Sequence, residues 1–162
     1  MPAVRDAPVL TTAALGRATL ARQLLLAPGD LEPVAAIERI GGLQAQEPAS
    51  PYLGLWTRLS AFDPAALDAA FQARTVVKAT LMRATLHAVS ARDYASLLPA
   101  VLPMLQSIRR GDRRRPPEPD HLRRLTEVAA AFTTEPRTLT DLREHMTDHA
   151  ADLEPDEIVA WE

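Results

Sequence analysis

Thr75-Val76-Val77-Lys78-Ala79-Thr80, then Leu81 to Ala84, then Thr85-Leu86-His87-Ala88-Val89 is the stretch on which the fold turns. β-Branched residues crowd both ends and partly alternate with smaller ones, the texture of two short strands rather than of a helix. Residues 81–84 lack the Asn-Gly or Gly-rich chemistry of a tight hairpin, so the sequence leaves open whether the strands pair directly. Ser90-Ala91-Arg92-Asp93 then has the form of a capping box, with Asp in place of Glu or Gln. It opens a long helix through Tyr94, Leu97, Leu98, Val101, Leu102 and Leu105 to about Arg110, which Pro99 and Pro103 are expected to bend or split.

Working back towards the N-terminus, four helical segments precede the strands. Thr11 or Thr12 caps a helix expected to run to about Leu26, with Leu15, Ala18, Ala21, Leu24 and Leu25 as its apolar stripe and Ala27-Pro28-Gly29 as its stop. Pro33 suits the first turn of a second helix through Ile40, closed by Gly41-Gly42. A third begins near Pro48 to Pro51 and carries Leu53, Leu55, Trp56 and Leu59, with Tyr52 and Trp56 assigned to the core. Asp63-Pro64 opens a fourth, amphipathic through Leu67, Ala70 and Phe71. Helices followed by a short β pair make the element order of a winged helix-turn-helix.

Beyond the strands, Gly111 to Pro119 reads as an Arg- and Pro-rich linker. Asp120 is expected to cap a helix with Leu122, Leu125, Val128, Ala129 and Phe132. A loop follows around Glu135-Pro136, and Thr138 or Thr140 starts a further helix through Leu142 and Met146. The expected organisation is therefore a first winged-helix domain over 8–110, a linker over 111–119 and an incomplete second winged-helix unit over 120–162. The fold class is mainly α with short β: a winged helix-turn-helix followed by the start of a second one.

Composition narrows the function. At 162 residues, 47% hydrophobic and 24% charged, the chain has the make-up of a globular protein, and no apolar run approaches the ~20 residues of a membrane span. No cysteine is present, which removes disulfides, thiolate nucleophiles and cysteine zinc sites, and the first residues open no secretory signal, so the cytoplasm is the expected compartment, nucleoid-associated when DNA is bound. His87, His121, His145 and His149 do not assemble a metal site by spacing, and no Gly-rich phosphate loop occurs, so neither metal nor nucleotide cofactor is expected. Seventeen of the 18 basic residues are Arg. That bias fits either a GC-rich genome or recognition of phosphate by the guanidinium fork. Residues 1–140 carry a net charge of +4, whereas 141–162 hold eight acids against Arg143 alone. Arg109, Arg110, Arg113, Arg114 and Arg115 form a cluster that is either a solvated linker or a phosphate clamp on double-stranded DNA between two winged helices.

Two further blocks are Gly42-Leu43-Gln44-Ala45-Gln46-Glu47-Pro48 with Ser50-Pro51-Tyr52-Leu53 and Leu55-Trp56-Thr57-Arg58-Leu59, and Met82-Arg83-Ala84-Thr85-Leu86-His87-Ala88-Val89 with Asp93-Tyr94. Together they resemble the bacterial winged-helix family of alkylpurine DNA glycosylases that includes enzymes acting on interstrand crosslinks. The resemblance covers roughly Leu10 to Leu105, and Asp120 to Met146 more loosely. It implies tandem winged helices, a chain about twice this length, and a catalytic pair of polar residues flanking an apolar one. That pair falls on Gln44 and Gln46 around Ala45, the glutamine form of a motif whose second position is aspartate in other branches. The chain departs from the family in lacking the later region that completes the DNA cleft.

The chemistry agrees with neutral amides. An N7- or N3-alkylated purine already carries positive charge and leaves without a general acid, so groups that hold water against the anomeric carbon and stabilise developing charge suffice. Two residues apart, Gln44 and Gln46 face one side only in extended or looped backbone, with Ala45 pointing away; in a helix they diverge by ~200°. Glu47 is the nearest carboxylate and a reserve base. His87 is either a packed strand histidine or a DNA contact. The expected function is a winged-helix DNA-binding protein resembling glycosylases that excise cationic alkylpurines or unhook crosslinks. The alternatives are a non-catalytic DNA-binding regulator, in which both glutamines are surface amides, a truncated inactive paralogue, or a helical interaction module using the acidic tail.

Overall fold

A computed structural model of the chain describes residues 9–111 and 119–149. Arg113, Arg114 and Arg115, most of the expected linker and the acidic end after His149 lie outside the described residues. The fold is mainly helical with one small antiparallel sheet, and the chain divides after Leu105 into two compact units.

In the first unit, α1 spans Thr12–Arg22, with Thr11 Oγ1 accepting from Ala14 N at 3.1 Å. It stops four residues short of the expected Leu26, because Leu24 turns into the left-handed region (φ 56°) and packs against the main core. The stripe through Leu15 buries nothing of α1. α2 (Pro33–Ile40) starts on proline and buries Ala36 and Ile37. α3 (Ser50–Trp56) buries Pro51 and Leu55, and the missing side chain of Gly54 makes room for Leu43, whose Cδ2 would lie 2.9 Å from a Cβ there. With that face turned inward, Trp56 lies about 100° round the helix from Leu55 and is 68% exposed, against the expectation that it fills the core. Tyr52 is half-buried and donates its hydroxyl to Asp68 Oδ1 at 2.5 Å, and this bond to a carboxylate holds the phenol above its ordinary range. α4 (Pro64–Gln72) is capped by Asp63, which accepts from Ala65 N, and buries Leu67 and Ala70.

The two strands read from the sequence are β2 and β3. To keep chain order, β1 is Leu43–Gln44, β2 is Val76–Thr80 and β3 is Leu86–Ser90. β2 and β3 pair directly, Val76 opposite Ser90 through Thr80 opposite Leu86, across a single 3-10 turn at Met82–Ala84. The turn needs no glycine because Arg83 and Ala84 themselves take left-handed φ of 56° and 55°, a conformation that L-residues seldom adopt. The short β1, not expected from sequence, adds to the other edge of β3, giving the order β1-β3-β2. Leu43, Ala45, Val76 and Ala88 join Ile37, Leu55 and Leu67 in one apolar cluster, so the sheet backs onto the helices. α5 (Ala91–Gly111) follows, with Ser90 Oγ accepting from Asp93 N. It is not split at Pro99 or Pro103, since each proline removes only one N–H from a ladder whose neighbouring bonds remain.

The second unit contains α6 (Pro119–Phe132) and α7 (Leu139–His149), packed through Leu125, Met146, Val128, Ala129 and Leu142. Asp120 lies inside the first turn of α6 and pairs with Arg123, rather than preceding the helix as its cap. Phe132 stacks on His145 with ring centroids 3.9 Å apart. Thr138 and Asp141 cap α7 reciprocally: Thr138 Oγ1 accepts from Asp141 N at 3.1 Å, and Asp141 Oδ2 accepts from Thr138 N at 2.9 Å.

Those hydrogen bonds from Thr138 hold the Asp141 carboxyl below its ordinary range. A folded-state value below the unfolded one means that the cap stabilises α7 above the ordinary carboxylate range and ceases to do so as pH falls through the depressed value. Acid titration of the helical circular dichroism signal should therefore show a loss that Asp141→Asn removes, and an identical acid transition in both proteins would contradict the assignment.

Candidate functional site

The site is built where α2 hands over to β1. Gly41 (φ 82°) ends α2 with its N–H on Ile37 O at 3.0 Å, and Gly42 (φ 110°) continues the reversal. Only glycine fits at 42: besides its φ, a Cβ there would sit 2.8 Å from Val89 Cγ1. The reversal brings residues 43–46 alongside β3, Leu43 opposite Ala88 and Gln44 opposite His87.

Hydrogen bonds at the end of this ladder fix which side chains share a face. Ala45 N donates to Leu86 O at 2.8 Å. In a regular ladder Leu86 N would return the bond to the carbonyl of Ala45; instead it donates to the side-chain Oε1 of Gln46 at 2.6 Å. The amide of Gln46 thus stands in for backbone and ends the strand. Because Ala45 and Leu86 form a hydrogen-bonded pair, Gln44 and His87 form the neighbouring pair without backbone bonds, the type in which Cα atoms approach to about 4.5 Å and side chains lie closest. Ala45 points into the core and is wholly buried, while Gln44 and Gln46 are exposed. Gln44 and His87 therefore occupy the face of the sheet away from the core, and Gln46, exposed beyond the end of β1, sets its amide against the Leu86 N–H at the end of the ladder.

The Gln46 bond also orients its amide. An oxygen must meet the Leu86 N–H, which leaves the NH₂ group of Gln46 to donate outward. Gln44 has no such tie and can donate or accept. His87 is 6% exposed, with Nδ1 at 2.8 Å from Thr85 O. That same carbonyl accepts from Leu81 N, and Thr85 Oγ1 donates to Met82 O, so the 81–85 turn is braced where the histidine leans on it. Glu47, the reserve carboxylate, is exposed in the turn after Gln46, and its carbonyl receives Ser50 N at the start of α3.

The structure thus brings together Gln44, Gln46 and His87 from separate blocks of sequence. Arg109 and Arg110 fall in the last turn of α5, apart in sequence from this constellation. Sequence reasoning missed the Leu86 backbone as a partner of the site, because a two-residue strand such as β1 leaves no alternation to read. Among the described residues, no three His, Cys, Asp or Glu side chains cluster as a metal site requires, and no helix is long and apolar enough to cross a membrane.

Residues 37–162 match the sequence profile of the family described as DNA glycosylase AlkZ-like. The fold is similar to the solved structure of the DNA glycosylase AlkZ of Streptomyces sahachiroi, with a TM-score of 0.67 at 19% identity, over 88% of this chain and 40% of that one. The chain spans less than half the length of that protein. No curated protein sequence matches it.

Replacing Gln46 by Ala leaves the Leu86 N–H without its partner, and unfolding by denaturant should show a loss of about 1 kcal/mol, against less than about 0.5 for Gln44→Ala, whose side chain holds nothing. Gly42→Ala should cost more than either, about 1–3 kcal/mol from the left-handed backbone and the contact with Val89. Equal stability of the two glutamine variants would remove the strand-ending role from Gln46.

Proposed function

The chain belongs to the AlkZ-like family of DNA glycosylases, and on that premise we propose that it is a winged-helix DNA-binding protein whose Gln44 and Gln46 serve hydrolytic release of cationic alkylpurines from double-stranded DNA. One observation carries this reading: Gln44 and Gln46 are both exposed on either side of an Ala45 sealed in the core, a disposition that suits holding a water against a sugar carbon. A purine alkylated at N7 or N3 departs as a neutral base once its glycosidic bond breaks. The site then needs no acid, only donors and acceptors fixed before the reaction begins. Gln44, free at both ends of its amide, orients the water. The outward NH₂ of Gln46 donates to the water or to an acceptor on the sugar or departing base. Neither a metal nor a nucleotide cofactor enters this chemistry.

In the winged-helix reading, α2 to α4 form the helical scaffold and the β2–β3 hairpin the wing, with Arg83 at its tip. The net charge of +4 over residues 1–140 supports phosphate contact, as does the Arg109 to Arg115 cluster. The same reading places the protein in the cytoplasm, on the nucleoid. A second reading, a DNA-binding protein without catalysis, draws on the Gln46 to Leu86 bond, since an amide that replaces backbone has a structural use of its own.

Single-turnover release of methylated purine from an alkylated duplex, with the chain in excess, separates the two. The wild-type chain should release N7-methylguanine slowly and leave unmodified guanine in place, and Gln44→Ala and Gln46→Ala should each slow release by about a further 10- to 1000-fold while binding to undamaged duplex holds. Full activity in the double variant, or none in the wild type on any cationic purine, would leave the non-catalytic reading. Independently, Arg113→Ala, Arg114→Ala and Arg115→Ala together should reduce the slope of log affinity against log salt by about 2 to 3, near 0.9 per phosphate contact. An unchanged slope would make the cluster a linker only.

A further inference from the structure

The excision reading leaves one proton unassigned. When water adds to the sugar carbon it must lose a proton, and an amide is too weakly basic to take it, so neither Gln44 nor Gln46 can be the acceptor. His87 is a titratable group on the face of the sheet that carries Gln44, directly opposite it. Its surroundings set the ring in one state. Thr85 O is a carbonyl and can only accept, so the neutral ring carries its hydrogen on Nδ1 and keeps the lone pair on Nε2. Among the described residues, Arg58 Nε is the sealed side-chain polar atom without a hydrogen bond. Nε2 of His87 has no hydrogen-bond partner among the described residues either, and unlike Arg58 Nε it is not fully sealed.

We propose that His87 Nε2 is the proton acceptor for the attacking water, a role that rests on the excision reading of the Gln44 and Gln46 site. Water held by Gln44 forms the O–C1′ bond as the C1′–N9 bond breaks. The electron pair of that bond goes to the departing purine and cancels its charge, and the water proton passes to Nε2, giving an imidazolium that returns the proton to solvent. The low exposure of His87 suits the task, since a ring packed between strands keeps its orientation without substrate. The charged groups on the elements around it are Glu47 beyond β1, Lys78 on β2 and Arg83 in the connecting turn. On α2 they are Arg39 and Glu38, the latter paired with Arg92 of α5 at 2.8 Å. From the sheet itself His87 is flanked by the uncharged Gln44 and Ala79.

The experiment is single-turnover base release from an alkylated duplex by the full chain between about pH 5 and about pH 8, the range over which imidazoles change charge. The wild-type rate should fall in acid as Nε2 takes up a proton. His87→Gln should be slower by about 100- to 10,000-fold and should lose the acid limb, and His87→Gly should regain part of its rate on addition of imidazole. Nitrogen NMR of the wild-type ring gives a readout independent of any variant's folding: Nδ1 protonated and Nε2 bare at neutral pH. A folded His87→Gln with wild-type rate and acid limb, transfer of the limb's loss to Glu47→Gln, or a ring protonated on Nε2 would each overturn the assignment while leaving excision intact. Absence of base release by the wild type would overturn the excision reading and this role with it.

Discussion

Two hydrogen bonds to a single residue, Leu86, hold the β1 edge of the sheet together. Its carbonyl takes the N–H of Ala45 and its N–H takes the side chain of Gln46. Through them a four-residue segment becomes the third strand of the sheet, although two strand residues alone bury too little to persist. The segment reaches Leu86 because Gly41 and Gly42 reverse the chain immediately after α2, and the second glycine must be bare for Val89 to pass. Each part depends on the next. Without the reversal there is no strand, and without the strand the alternation that sorts Ala45 from the glutamines has no plane to act on.

The sheet is accordingly two-sided. Leu43, Ala45, Val76 and Ala88 face the helices and supply the apolar burial that anchors it, while Gln44 and His87 lie on the other face. Gln44, His87 and Ala79 lie side by side at the centre of that face, whereas Lys78, opposite Ala88, belongs to the other. The turn that presents Arg83 is braced by Leu81 N on Thr85 O, Ala84 N on Leu81 O and Thr85 Oγ1 on Met82 O, and the same Thr85 carbonyl meets the ring of His87.

Local chemistry in the sequence determined most of the elements. Pro33 and Gly41 bounded α2, Asp63-Pro64 opened α4, Ser90 opened α5 and Thr138 opened α7, because caps and breakers act within one turn of chain and need no distant partner. Spacing alone also implied that Gln44 and Gln46 share a face once the backbone is extended. Tertiary structure decided the rest. Trp56 lies outside because Gly54 and Leu55 claim the inward face of α3 for Leu43 and the core. α1 ends early because Leu24 is drawn to a core that its own helix does not form. The pairing of β1 with β3, and with it the meeting of Gln44 and His87, joins residues some 40 positions apart. A contact of that kind rests on hydrogen bonds and burial contributed by both segments at once, so neither segment's own sequence contains it.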